Sequence, residues 1–438
     1  MNRRIRQMVK KHPRRTIVVG FLAVILVGGI VLHLPVASED GNPLPFIDCL
    51  FMSTSAVCVT GLVVVDPGDT FSIFGGVVLA TLIQIGGLGI TSIGVITILL
   101  TSGKMSMGGR KLAREGFNLS SGKGLGDILR SVLYVTVTVE VIGAVLSFLT
   151  FSKQYPPGEA VGISFFHSIS AFNNSGFDLF GGFKNLADYH DDVWINLVTA
   201  ILIILGGLGF IVISEVASKR TITNFRGYSL HTKIVLVTTL CLIVGGTLLV
   251  KLSDEHVTWL SAFFHSVSAR TAGFATEPLA KISLGGVLVI VVLMFIGASP
   301  GSTGGGIKTT TFFVILANVK SVALNGHCQA FKRKIPDTVI GKALVVFSLA
   351  LVCISTATIL LSIIQPEFAL QDTLFEVVSG FGTVGLSMGI TPKLAFGSKI
   401  VMIVTMFVGR LGPLTLISLW WSRTKPQARY SEENITVG

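Results

Sequence analysis

Charge is what this sequence has least of. Asp, Glu, Lys and Arg make up 13% of its 438 residues, about half the roughly 25% of a soluble domain, while 50% of the residues are hydrophobic. That balance excludes a water-soluble globule. The five cysteines, Cys49, Cys58, Cys241, Cys328 and Cys353, have neither metal-ligand nor disulfide spacing. An HExxH run, a Cys–His pair and clustered intramembrane carboxylates are all missing, which argues against an enzyme. The glycine run Gly86–Gly89 lies inside an apolar stretch rather than after a strand, so it is not a nucleotide fingerprint. No cofactor is expected in this chain. The first apolar stretch is followed by Pro35 and acidic residues with no small-residue cleavage site, which disfavours a removable signal peptide.

Long apolar runs are what the sequence has. Thr16–Leu34, Ile73–Leu100, Ile128–Phe151, Trp194–Val216, Ile234–Val250, Val339–Ile364 and Ile400–Trp420 each approach or exceed the roughly 20 residues of a bilayer-spanning helix. An eighth, Leu284–Val322, is interrupted near its middle. Basic residues gather before the first span (Arg3 to Arg15), at Lys104–Lys123, at Lys219–Lys233, at Lys320–Lys342 and at Arg423–Arg429, whereas residues 36–70 hold five acidic residues and no Lys or Arg. Alternation of this kind is the positive-inside pattern, placing both termini in the cytoplasm after an even number of crossings. The net charge of +11 is confined to alternate loops, facing anionic lipid headgroups and an acidic cytoplasmic partner rather than nucleic acid.

Four short segments on the acidic side resemble one another. They read Leu50–Ala56 (LFMSTSA), Phe165–Ala171 (FFHSISA), Phe263–Ala269 (FFHSVSA) and Leu374–Gly380 (LFEVVSG). Each runs on to a glycine: Gly61, Gly176, Gly273 and Gly385, with the third stretch one residue shorter. A segment of roughly 12 residues is about 18 Å long as a helix, too short for a hydrocarbon core of about 30 Å. It must dip in and return, with protein or water around its non-helical part. The expected fold is therefore an all-α polytopic membrane protein of four helix–pore loop–helix repeats, eight spanning helices around one central pore. Its parts are a basic N-terminus at 1–15, repeats at 16–101, 127–217, 230–325 and 338–421, and a cytoplasmic tail at 422–438. The pore segments are 45–65, 160–182, 257–276 and 370–388, and the broken second helix is 284–322.

Such a geometry suits a cation. Helices that end at mid-membrane aim their negative C-terminal ends at the centre, and the carbonyls of the returning chain can replace an ion's hydration shell. Glycine permits the positive φ and close backbone approach that such a lining needs. The expected ion-binding filter is Val59, Thr60 and Gly61; Asn174, Ser175 and Gly176; Thr271, Ala272 and Gly273; and Thr383, Val384 and Gly385.

VTGL at Val59–Leu62, FNNSGF at Phe172–Phe177, RTAGF at Arg270–Phe274 and GTVGL at Gly382–Leu386 resemble the four filter signatures of the Trk/Ktr/HKT potassium transporter superfamily. The resemblance runs over essentially the whole chain and is greatest to the membrane subunit of bacterial Ktr systems (KtrB/KtrD type). It implies potassium uptake across the cell membrane, and a glycine at all four positions goes with potassium preference. It further implies a homodimer seated on a cytosolic ring of nucleotide-binding regulatory subunits of the KtrA/KtrC kind, with contacts expected in the basic loops and the tail Ser422–Gly438. The resemblance also implies K+ as the transported ion, with Na+ as a candidate activator.

The eighth span breaks at Gly297–Gly306, a run too rich in Pro and Gly to continue a helix. Only the third repeat is expected to break its second span. Gly297, Pro300, Gly301, Gly304, Gly305, Gly306 and Lys308 form a candidate gating loop, at the place where the resembled family has one; the plainer reading is a loop joining two shorter spans. Arg410 sits in an otherwise apolar span, where an arginine is expensive and needs partners. Three roles are open to it: holding carbonyls of the loop 298–306, acting as an electrostatic barrier, or pairing with an acid such as Glu140. His167 and His265 read as packing residues, and Arg270 as orienting its loop through an extracellular-side carboxylate. The rival function is a secondary transporter with a midplane site in the broken helix, against which stand four re-entrant segments and repeats of one orientation.

Overall fold

The chain's structure, a computed structural model, describes residues 13–89, 125–218, 225–415 and 433. It is predominantly helical. We number the helices α1 Pro13–Leu32, α2 Phe46–Cys58, α3 Ile73–Leu88, α4 Leu125–Phe151, α5 Pro157–Phe172, α6 Val193–Leu208 and α7 Phe210–Ser218. They continue as α8 Leu230–Ser253, α9 Trp259–Ser268, α10 Leu284–Phe295, α11 Thr309–Ala323, α12 Asp337–Ile364, α13 Leu370–Gly382 and α14 Phe396–Leu411. A small hairpin, β1 Gln329–Ala330 with β2 Arg333–Lys334, lies between α11 and α12.

Among the described residues, four helices are long and apolar enough to cross a bilayer alone, lying in α1, α4, α8 and α12. These are the first helices of the four sequence copies. Leu, Val and Ile at 40–60% exposure run along them, such as Val27, Val145, Val244 and Val352; in water such surface would be costly, and in lipid it is the expected coat.

The second helices differ from expectation. α3, α6 and α14 stop after 16 residues each, about 24 Å of rise. They end at Gly89, Gly209 and Gly412, whose φ values are 79°, 91° and 81°. After Gly209 the chain resumes as α7, bent 98° from α6. The third copy is therefore not alone in breaking its second span: Trp194–Val216 is not one straight helix, and α3 ends well before Leu100. The physical reason is the last glycine of the Gly-Gly-Leu-Gly and Gly-Arg-Leu-Gly runs, whose positive φ no helix contains and glycine adopts without steric cost. Residues 90–100 lie outside the described part, and so do the basic clusters Lys104–Lys123 and Arg423–Arg429.

Three of the four short helices are hung by a serine on the long helix before them. The Ser53, Ser168 and Ser266 hydroxyls donate to the carbonyls of Ile25 (2.8 Å), Glu140 (2.7 Å) and Ile243 (2.9 Å). One turn on stand Gly28, Gly143 and Gly246, where a methyl group would lie 2.4 Å from the same hydroxyl. Small residues that let two helices approach are a recurrent device in lipid, where apolar side chains alone give no driving force. The fourth copy has Val377 in the serine's place.

Each second helix packs on the next copy's short helix: α3 on α5, α6 on α9, α10 on α13, and α14 back on α2. The last contact closes the circle and carries a half-buried ion pair between Lys399 and Asp48. At these contacts the second helix lies against backbone. A methyl on Gly206 would stand 1.9 Å from the Phe172 carbonyl oxygen, and one on Gly409 1.9 Å from that of Phe381.

Two neighbouring substitutions separate this constraint from a general intolerance of change. Gly206→Ala should destabilise the purified protein by about 1–3 kcal/mol, the range for overpacking against atoms that cannot move. Gly207→Ala, whose methyl would meet the Asn174 amide at 3.4 Å, should be near neutral. Thermal unfolding in detergent measures both, and equal midpoints for the pair would contradict the packing described.

Candidate functional site

The short helices α2 and α13 end in a left-handed residue, Val59 (φ 55°) and Thr383 (φ 51°). In the other two copies the matching residues, Asn174 (φ 58°) and Thr271 (φ 77°), adopt the same conformation. Two residues later come Gly61, Gly176, Gly273 and Gly385, with φ of 93°, 71°, 78° and 95°. A left-handed turn at a non-glycine residue is uncommon and is held only by its surroundings. Here the holding bonds are visible. The carbonyls of Ser55, Ser170 and Ser379 accept from the amides of Thr60 (2.8 Å), Ser175 (2.8 Å) and Val384 (2.9 Å). In the third copy, one residue shorter, Ser268 O accepts from Ala272 N (2.9 Å) and Gly273 N (3.3 Å). The Ser55 and Ser379 hydroxyls also accept from Gly61 N and Gly385 N, both at 3.1 Å. These serines were in plain view as the last serine of each motif, but only the folded turn assigns them their part.

The four returning strands meet. A methyl on Gly61 would stand 2.2 Å from Ser175 O, one on Gly176 2.6 Å from Ala272 O, one on Gly273 2.2 Å from Val384 O, and one on Gly385 2.2 Å from Thr60 O. Each glycine thus abuts the carbonyl just before the next glycine, and the fourth returns to the first. The residues Val59, Thr60, Asn174, Ser175, Thr271, Ala272, Thr383 and Val384, all fully buried, complete this ring.

The segment between α10 and α11 lies directly against it. Methyls on Gly304 and Gly305 would stand 2.1 Å and 2.4 Å from the hydroxyls of Thr271 and Thr383. Gly305 N donates to Thr383 Oγ1 (2.9 Å), and the Thr303 hydroxyl lies 3.3 Å from both the Phe172 carbonyl and the Asn174 amide. Further bonds tie the segment to the break after α6: Ser299 N to Gly207 O (3.0 Å), Thr303 N to Gly206 O (3.3 Å), and Phe210 N to Gly301 O (3.0 Å). Gly297 packs on Gly305, and Gly306 on Gly382; Pro300 and Gly301 lie beside Gly209.

Two cations hold this segment. Lys308 Nζ donates to Gly304 O (2.6 Å) and Gly305 O (3.2 Å). Arg410 donates one Nη to Thr303 O and the other to Gly86 O. Of the partners open to Arg410, the structure therefore has the loop carbonyl. Glu140 instead accepts from Asn173 (3.0 Å) and Gln84 (3.3 Å). Arg270 also departs from expectation. Its side chain is buried and donates to Thr239 Oγ1 at 3.4 Å, a hydroxyl on α8 and not an extracellular-side carboxylate. Its position, in the turn just past the end of α9 and before the left-handed Thr271, directs it sideways into the first helix of its own copy. His167 and His265 are buried in packing positions, His167 against Thr199 (2.9 Å) and edge-on to Phe151 and Phe274.

A family model described as TrkH, cation transport protein, matches residues 7–433. The Ktr system potassium uptake protein B of Bacillus subtilis (strain 168) is 36% identical over 444 residues, 98% of this chain and 98% of that protein. The potassium/sodium uptake protein NtpJ of Enterococcus hirae is 35% identical over 455 residues, 100% of this chain and 99% of that protein. The crystal structure of the potassium transporter TrkH from Vibrio parahaemolyticus superposes with a TM-score of 0.71 at 20% identity, covering 91% of this chain and 84% of that one. The fold is shared with that structure.

The grip of Arg410 on the loop is open to direct measurement. Arg410→Gln should speed amide hydrogen exchange across 299–307 by roughly ten-fold or more, since hydrogen bonds to a charged donor are lost. Unchanged exchange there would mean that the loop does not depend on this side chain.

Proposed function

Because the chain belongs to the TrkH/Ktr family of cation transport proteins, we propose that its ring of four glycine strands is a potassium-selective filter and that the loop Gly297–Lys308 is the gate beneath it. The protein is a multi-pass membrane transporter for potassium uptake and not an enzyme. The observation that carries the finer reading is the closure of the ring: Gly61, Gly176, Gly273 and Gly385 each touch the carbonyl preceding the next. Backbone carbonyls crowded around one axis can exchange for a monovalent ion's water. The C-terminal ends of α2, α5, α9 and α13 lead into the ring and add the negative end of each helix dipole.

The gate reading is supported by where the loop makes its bonds. It touches Asn174, Thr271 and Thr383, the entry residues of three strands, and it is held by side chains and by backbone bonds to the break after α6 rather than by a helix of its own. Lys308 and Arg410 place positive charge beside the proposed ion path, so the closed loop opposes a cation both sterically and electrostatically. Opening then requires the loop carbonyls to leave these two donors.

The same reading places the protein in the cell membrane with both termini in the cytoplasm. The relative from Bacillus subtilis is named for a Ktr system, and we assign this chain a cytosolic ring of nucleotide-binding regulatory subunits and a homodimeric state by analogy. The name of the Enterococcus hirae relative includes sodium, which keeps Na+ as a second permeant or activating ion.

The filter reading is tested at Gly61. Gly61→Ser puts a side chain into the 2.2 Å gap to Ser175 O and should reduce the preference for K+ over Na+ by roughly ten-fold, the effect of about 1.4 kcal/mol in ion stabilisation. Paired K+ and Na+ fluxes in proteoliposomes give the ratio; a ratio equal to that of the unaltered protein would remove Gly61 from the ion path.

A further inference from the structure

Beyond the ring itself, the structure holds a side chain that ties two of its strands together from outside. Asn185 follows the second strand by nine residues, in the loop that leads to α6. Its amide makes four hydrogen bonds. Nδ2 donates to Gly176 O (3.2 Å) and to Asp178 Oδ2 (2.8 Å). Oδ1 accepts from Ala275 N (3.1 Å) and from Leu186 N (3.0 Å). Two acceptors face the nitrogen and two N–H groups face the oxygen, so the orientation of the amide is fixed by its partners. Gly176 is the second ring glycine, and Ala275 lies two residues beyond the third.

The surrounding loop extends the tie. Leu186 N donates to Ala275 O (3.1 Å), making a second link to the third strand. On the other side, Gly182 N donates to Asp69 Oδ2 (2.8 Å) and Phe183 N to Asp66, both in the loop that follows the first strand. Asp66 is itself fixed by the amides of Gly68 (2.8 Å) and Asp69 (3.2 Å). The loop Gly181–Leu186 therefore joins the outer ends of three strands, and Asn185 is its one side chain bonded to a ring carbonyl. Asn185 has φ 52°, a left-handed conformation that asparagine tolerates better than most residues.

We propose that Asn185 is a positioning residue for ion selection, a rigid spacer that sets the distance between the second and third strands by holding the Gly176 carbonyl and the Ala275 amide at once. The proposal rests on the filter reading above. A carbonyl ring discriminates between ions through the number and placement of its oxygens, and a planar amide bonded at both ends fixes placement without touching the ion. Loss of the spacer leaves the strands in place, because the serine bonds at their bases remain, but frees the Gly176 peptide to tilt.

The test uses the full chain in proteoliposomes. Asn185→Gly keeps the left-handed backbone at no steric cost and removes all four side-chain bonds. It should lower the K+ over Na+ flux ratio by roughly five-fold, the scale of about one net hydrogen bond, while total cation flux persists. Asn185→Asp keeps the acceptor towards Ala275 but sets a carboxylate oxygen against Gly176 O and Asp178, and should lose selectivity likewise; it carries the test if the glycine variant does not accumulate. Lys184→Ala, next door and paired with the exposed Asp188 (3.3 Å), should retain the original ratio. An unchanged ratio in Asn185→Gly or Asn185→Asp, or an equal loss in Lys184→Ala, overturns the proposal. An unaltered protein that passes Na+ as readily as K+ would instead remove the filter reading on which it rests.

Discussion

Four backbone strands can close on one another only if nothing projects between them. At Gly61, Gly176, Gly273 and Gly385 a single methyl would lie 2.2–2.6 Å from the carbonyl of the neighbouring strand, closer than any real carbon–oxygen contact. This absence of side chains governs the architecture outward. The strands are held at the base of each turn by serine carbonyls, and in the first and fourth by the serine hydroxyls as well. The short helices that carry those serines must approach the long helices closely, and Gly28, Gly143 and Gly246 allow it. The second helices must reach the ends of the short helices, and Gly86, Gly206 and Gly409 allow that. Ten of the chain's 49 glycines thus serve one geometrical requirement.

A second consequence concerns buried charge. Arg410 and Lys308 lie against the ring and are met by carbonyls of the chain rather than by carboxylates. Removing a cation from water is expensive, and in the membrane interior a charged side chain persists where several acceptors surround it. The Gly-rich loop is suited to this task, because it offers carbonyls that no helix has already used. On the proposed reading the loop and the two cations stabilise each other in the closed state, and neither is at ease without the other. The network of Glu140, Gln84 and Asn173 performs the same service for a buried carboxyl group, with amide donors as its partners.

Much of this is legible in the sequence. The four related motifs, the glycines that follow them and the interrupted third copy all stand in the sequence, because each rests on a local requirement that only certain residues meet. The one-residue deletion in the third copy was legible too, and it reappears as an i+4 bond from Ser268 where the other serines make i+5 bonds. What escaped was long-range or depended on conformation. Ile85–Gly89 and Leu205–Gly209 are apolar enough to pass for continuous spans, and hydropathy cannot see that Gly89 and Gly209 have positive φ. The partner of Arg410 lies 107 residues away and could not be chosen by spacing. Arg270 was misdirected because the motif gives its place in the chain and not the direction of its side chain. Asn185 gave no signal at all: a loop asparagine acquires meaning only when two strands are brought to it.

The central claim is that a monovalent cation is coordinated by the carbonyls of the ring. Anomalous diffraction from crystals grown with Tl+ or Rb+ in place of K+ addresses it without recourse to activity. The account predicts anomalous density on the common axis of Gly61, Gly176, Gly273 and Gly385, within coordination distance of carbonyl oxygens from all four strands. Density that lies away from the ring, or a ring that stays empty at saturating ion while the fold is intact, would contradict it.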